Sequence, residues 1–93
     1  MVVGILTVEL SLGDIFSLKE KRQIIKSVID RIKNRYNVSI AEVDKQDLKR
    51  QATIGIACVS NSSKLVDRQL DLILDFLESD GRFAIEDIYK EIL

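Results

Sequence analysis

The segment Ser17–Tyr36, SLKEKRQIIKSVIDRIKNRY, restricts the fold more than any other part of the chain. At helical spacing Leu18, Ile25, Val28, Ile29, Ile32 and Tyr36 fall on one side, with Ile24 at its edge. Ser17 and Glu20 form S-x-x-E, a capping box: the Ser17 hydroxyl accepts from the Glu20 amide, and the Glu20 carboxylate reaches back to the Ser17 amide. The chain has no proline, and no glycine lies between Gly13 and Gly55, so nothing interrupts the segment. Burying such a stripe is worth about 1.5–3 kcal/mol per large side chain before entropy is subtracted. The spacing therefore predicts an amphipathic helix over 17–36, ended by Asn37 in a left-handed conformation.

The polar side of this helix is basic. Lys19, Arg22, Lys26 and Lys33 line one flank, and Arg31 and Arg35 the other. Lys21 and Arg22 sit in the first turn beside the apolar stripe, where the helix dipole disfavours a cation by about 0.3–1 kcal/mol. Two arrangements neutralise them: a carboxylate from elsewhere in the fold, or a bound anion at the helix start.

The 93 residues make one domain, 1–93, with one modest core. Hydrophobic residues are 46% and charged residues 31%, an ordinary globular balance, and the net charge is −1. That charge is uneven: residues 1–16 carry −2, residues 17–61 carry +5 and residues 62–93 carry −4. A basic middle beside an acidic last third binds an anionic partner or pairs with itself in a dimer. Cys58 is alone, which excludes an internal disulfide and points to a reducing cytoplasm. The start, MVVGILTVELS, has no basic leader, and no apolar run approaches membrane-spanning length, so no membrane partner is expected. With no histidine and one cysteine, neither a metal site nor another cofactor is expected.

Val2–Leu12 alternates, with Val2, Gly4, Leu6, Val8 and Leu10 on one face and Val3, Ile5, Thr7 and Glu9 on the other. This is a strand; Phe16, just before the helix cap, is expected to pack on the domain edge. Val38–Val43 is a second strand and Ala52–Ser60 a third, joined by polar Asp44–Gln51 as an antiparallel hairpin. Gly55 in the third strand suggests close approach of another backbone or helix. Asn61-Ser62-Ser63 supplies cap residues for a second helix over 64–80, ended by Gly81. Its apolar arc covers roughly half the circumference, wider than one buried stripe needs. Phe83–Tyr89 is a last strand, and Lys90–Leu93 a tail.

The order is β-α-β-β-α-β, the ferredoxin-like α+β pattern: a two-layer sandwich in which a four-stranded antiparallel sheet carries two helices on one face. Several strands are apolar on both sides, so the uncovered sheet face would be wet and hydrophobic in a lone copy. A homo-oligomer, most simply a dimer, follows, using that face, an edge strand or the wide side of the second helix.

Catalytic signatures are absent. There is no G-x-x-x-x-G-K-[ST] or G-x-G-x-x-G, and no triad forms without histidine. The strands Val2–Leu12 and Ala52–Ser60 carry no aromatic for base stacking, which disfavours base-specific RNA reading in that mode. Contact with an RNA backbone through Lys19, Lys21, Arg22, Lys26 and Lys33 remains open. Glu42 shares its strand face with Val38 and Ile40 and is placed to pair with Lys21 or Arg22. The alternative is an anionic-ligand site, regulatory or enzymatic, built from Ser17, Lys21, Arg22 and Glu42. A scaffold role in a protein complex is a third reading.

The runs SLKEKR (17–22), RIKNRYNVSIAEVDKQDL (31–48) and IGIACVSN (54–61) resemble the YlxP-like family of small bacterial proteins of unknown function, over nearly the whole chain. The family pattern L-K-x-K-R falls on Leu18, Lys19, Lys21 and Arg22, A-E-V on Ala41, Glu42 and Val43, and Q-D-L on Gln46, Asp47 and Leu48. The resemblance implies a ferredoxin-like fold, and a link to RNA or ribosomes through the transcription and translation genes that neighbour family members. Many relatives carry histidine where Lys45 stands, so a role needing imidazole at that point is not general. The resemblance supplies no reaction.

Overall fold

The computed structural model describes residues 1–93. Alternation in the first segment gives strand β1 (Val2–Leu12), and the capped amphipathic segment gives helix α1 (Leu18–Arg35). Strands β2 (Ser39–Asp44) and β3 (Gln51–Ser60) form the hairpin, followed by helix α2 (Ser63–Glu78) and strand β4 (Phe83–Ile92). The sheet order is β2-β3-β1-β4, antiparallel throughout. Both central strands are thus the apolar ones, and the two more polar strands lie at the edges.

The helix-facing side of the sheet presents Gly4, Leu6, Val8, Leu10 and Leu12 from β1, and Ala52, Ile54, Ile56 and Cys58 from β3. Ile25, Val28 and Ile32 of α1 and Val66, Leu70, Ile73 and Leu77 of α2 close over them in an 18-residue apolar core. Gly4 is where α2 comes nearest: a Cβ there would lie 2.2 Å from Val66 Cγ1. Gly55 plays a different part from the expected one. It faces away from the helices, and the side chain of Val43 lies over it, 2.8 Å from the position a Cβ would take.

Each edge strand carries one unpaired extra residue. On β2 it is Val43, between the pairs Glu42–Ile54 and Asp44–Thr53. On β4 it is Glu86, between Ile85–Leu10 and Asp87–Glu9.

Four local expectations need correcting. The predicted tail Lys90–Leu93 belongs to the sheet: β4 runs to Ile92, and Leu93 exchanges backbone hydrogen bonds with Val3 at 2.8 and 3.1 Å. α1 ends on Tyr36 in extended conformation, and Asn37 has no positive φ. Phe16 is 86% exposed, because its neighbour Ile15 takes the inward position. The capping box closes one residue early. Ser17 Oγ accepts from the Glu20 amide at 3.1 Å, but the Glu20 carboxylate accepts from the amide of Phe16 rather than of Ser17, also at 3.1 Å.

Candidate functional site

Lys21 lies in the first turn of α1 at a stripe position, and its side chain is wholly buried. A buried ammonium needs partners for its protons. The Lys21 Nζ donates to the carbonyls of Lys45 at 2.6 Å and Gln46 at 3.4 Å, and stands 2.9 Å from Glu42 Oε2. Glu42 is on the helix-facing side of β2, opposite Ile54. For Lys21 the neutralising carboxylate comes from elsewhere in the fold, whereas Arg22 is exposed and unpaired.

The contact fixes more than a charge. Lys45 has φ 63, a left-handed backbone that carries a penalty for a side-chain-bearing residue. Its carbonyl points to Lys21 in the helix layer, while its own Nζ crosses to the open sheet face and pairs with Glu9. Glu9 also accepts from the Thr53 hydroxyl at 2.7 and 3.0 Å. The hydrogen bonds from Lys45 and Thr53 hold the Glu9 carboxyl below the usual carboxylate range, and Glu9 raises the Lys45 ammonium in turn. The β2–β3 turn is thus gripped from both sides of the sheet and held against the start of α1.

The proposed nucleic-acid residues divide accordingly. Lys21 is removed from the surface: its ammonium is buried among Glu42 and two carbonyls, so it cannot meet a phosphate. Lys19, Arg22, Lys26 and Lys33 are exposed on the flank of α1 away from α2. Lys26 pairs with Asp30 at 2.8 Å, whereas Lys19, Arg22 and Lys33 have no ion-pair partner. Periodicity alone did not point to Lys49 and Arg50, exposed on the turn that Lys21 draws in, nor to exposed Phe16 beside the helix start.

The alternative grouping of Ser17, Lys21, Arg22 and Glu42 encloses no main hollow of the molecule. Ser17 Oγ is occupied by the Glu20 amide, and Arg22 points to solvent. The hollows lie elsewhere. One runs between the end of α1 and α2, lined by Arg35, Tyr36, Leu65, Arg68 and Leu72. The Arg35 guanidinium stands 5.3 Å from the Phe76 ring centre and 5.9 Å from that of Tyr36. Another is a shallow depression on the open sheet face, lined by Ile5, Ala41, Val43, Gly55 and Ala57. Cys58 is buried, and burial pushes its thiol up.

Element order, sheet order and helix placement define a ferredoxin-like α+β protein. A de novo designed protein with a ferredoxin fold superposes with a TM-score of 0.65 at 14% identity, over 99% of this chain and 85% of that one. SnoaB, a cofactor-independent oxygenase from Streptomyces nogalater, gives 0.53 at 7% identity, over 99% and 90%. A dimeric ferredoxin-like protein from an uncultured marine organism gives 0.50 at 13% identity, over 98% and 92%. At these identities the likeness concerns the fold.

The family is narrower. Residues 3–90 match the family described as "Protein of unknown function (DUF503)", and the chain belongs to it. The uncharacterized protein YlxP of Bacillus subtilis (strain 168) is 37% identical over 78 residues, covering 84% of this chain and 85% of that protein. No helix is long and apolar enough to cross a membrane.

Proposed function

We propose that this is a non-catalytic, cytoplasmic, self-associating protein that holds an RNA backbone along the outer flank of α1. The observation that carries the reading is the row Lys19, Arg22 and Lys33, exposed and without carboxylate partners, joined by Lys26. Cations left free in this way are available to displace the counterions of a polyanion. Lys21 has a structural part in the same reading: it ties the start of the β2–β3 turn, at Lys45 and Gln46, to the first turn of α1. Phe16, 86% exposed at that end of the row, offers a ring on which an unpaired base can stack. Self-association is supported by the large apolar side chains this small domain leaves in solvent, Val43 and Val59 on the sheet at 54% and 61% exposed and Leu65 and Leu72 on α2 at 57% and 45%.

The test is retention of single-stranded RNA across a salt series. Binding should weaken with salt at a slope of about −0.7 per phosphate neutralised. The triple charge reversal of Lys19, Lys26 and Lys33 to glutamate should abolish it while leaving the thermal melt intact. Absence of binding at low salt, or binding indifferent to the reversal, would discard the reading.

A further inference from the structure

The outward surface of α2 is charged in the wrong sense for an isolated helix. Its first turn holds Lys64 and no acid, and its last turn holds Glu78 and no base. A helix dipole favours the reverse at both ends. Along the solvent pole the unpaired charges keep that polarity: Arg68 in the N-terminal half, Asp75 in the C-terminal half, one heptad apart. The acids Asp67, just before Arg68, and Asp71, after it, are held by Lys90 of β4. Neither Arg68 nor Asp75 has an ion-pair partner within the chain. Beside them, on the flank of α2 nearer the end of α1, stand Leu65 and Leu72, 57% and 45% exposed, away from the buried row Val66, Leu70, Ile73 and Leu77. Leu65, Arg68, Leu72 and Asp75 follow the 3-4-3 spacing of a helix–helix seam.

We infer that two copies of this chain pair through α2, antiparallel, about a two-fold axis passing beside Leu72. The inference rests on the proposed self-association and names its surface. The seam is self-complementary in one orientation only. Antiparallel pairing sets Arg68 of each copy opposite Asp75 of the other, Leu72 against Leu72, and Lys64 close to Glu78. Each pair occurs twice because the axis repeats it. Parallel pairing sets like charges side by side. Antiparallel pairing also opposes the two helix dipoles, which accounts for charges that a lone helix would place the other way round.

The open sheet face lacks this match. Its charges, exposed Asp87 and half-buried Glu91 with Glu86 nearby, share one sign, and its lysine, Lys45, is already held by Glu9. A second copy laid on that face brings carboxylates to carboxylates.

Sedimentation equilibrium at high micromolar protein tests the seam. The chain should dimerise, and more weakly as salt rises. Arg68→Asp alone, or Asp75→Arg alone, should lower the association constant about tenfold by placing like charges across the axis. The double variant carrying both should restore it, which a general loss of folding cannot do. Leu72→Cys should cross-link as a dimer on oxidation, while the buried Cys58 of the parent chain does not. A dimer indifferent to both reversals overturns the seam and leaves self-association standing. A monomer at that concentration overturns both.

Discussion

Lys21 is the residue whose position and chemistry are most at odds, since a wholly buried ammonium is tolerated only while its partners hold. Lys21→Met should leave the Glu42 carboxylate without its cation and two carbonyls without a donor. Removing one partner of a buried pair costs roughly 3–5 kcal/mol, and the partial exposure of Glu42 puts this case toward the lower end. That is a large share of the stability of a small domain. The double change Lys21→Met with Glu42→Gln should recover part of the loss, both read by urea denaturation. Glu9 gives a pH signature. Its folded carboxyl titrates below its unfolded value, so the folded state takes up that proton less readily than the unfolded chain. The stabilisation is complete above the unfolded carboxylate range and disappears as acid reaches the folded value. The melting temperature should therefore fall below roughly pH 4.5, and Glu9→Gln should make that acid limb shallower. Asp80, lowered by its Arg82 partner, keeps the limb from vanishing. Parallel acid limbs for parent and variant would refute the role given to Glu9.

Among the elements, α2 packs directly onto the backbone of β1 at Gly4. Gly4→Ala places a methyl group into Val66, and β-branched valine has few rotamers to retreat into. The substitution should destabilise by about 1–3 kcal/mol. Combined with Val66→Ala, the total should be less than additive in chemical denaturation, because the clash is then gone. The elements themselves were plain in the sequence wherever periodicity met a terminator: Ser17 before α1, Ser62 before α2, Gly81 after it at φ 82. The reading failed where two neighbours compete for one place, or where a charge has a distant partner. Ile15 and Phe16 are both apolar, and only the folded connection decides which turns inward. Lys90 looked like a polar tail, yet its ammonium is held by Asp67 at 2.6 Å and Asp71 at 2.7 Å on α2. The basic flank of α1 was legible because helical spacing sorts it. The burial of Lys21 was not, because its carbonyl partners come from a turn 24 residues away in sequence.

At the level of the whole molecule, the architecture has two unlike exteriors: a helical side with a basic flank and a seam of mixed sign, and a sheet side that is apolar with an acidic border. The proposed contacts use the helical side twice, RNA along α1 and a second copy along α2, so one can form without displacing the other. The RNA and the dimer measurements are separable for that reason, and the Arg68 and Asp75 variants should keep RNA retention per chain unchanged. The extra residues in β2 and β4 bear on the remaining side. Each kinks the outermost strand of the sheet and breaks its row of unsatisfied amides and carbonyls. A further strand from a neighbouring molecule therefore meets no straight template at either end, so the pleated layer does not propagate into fibres.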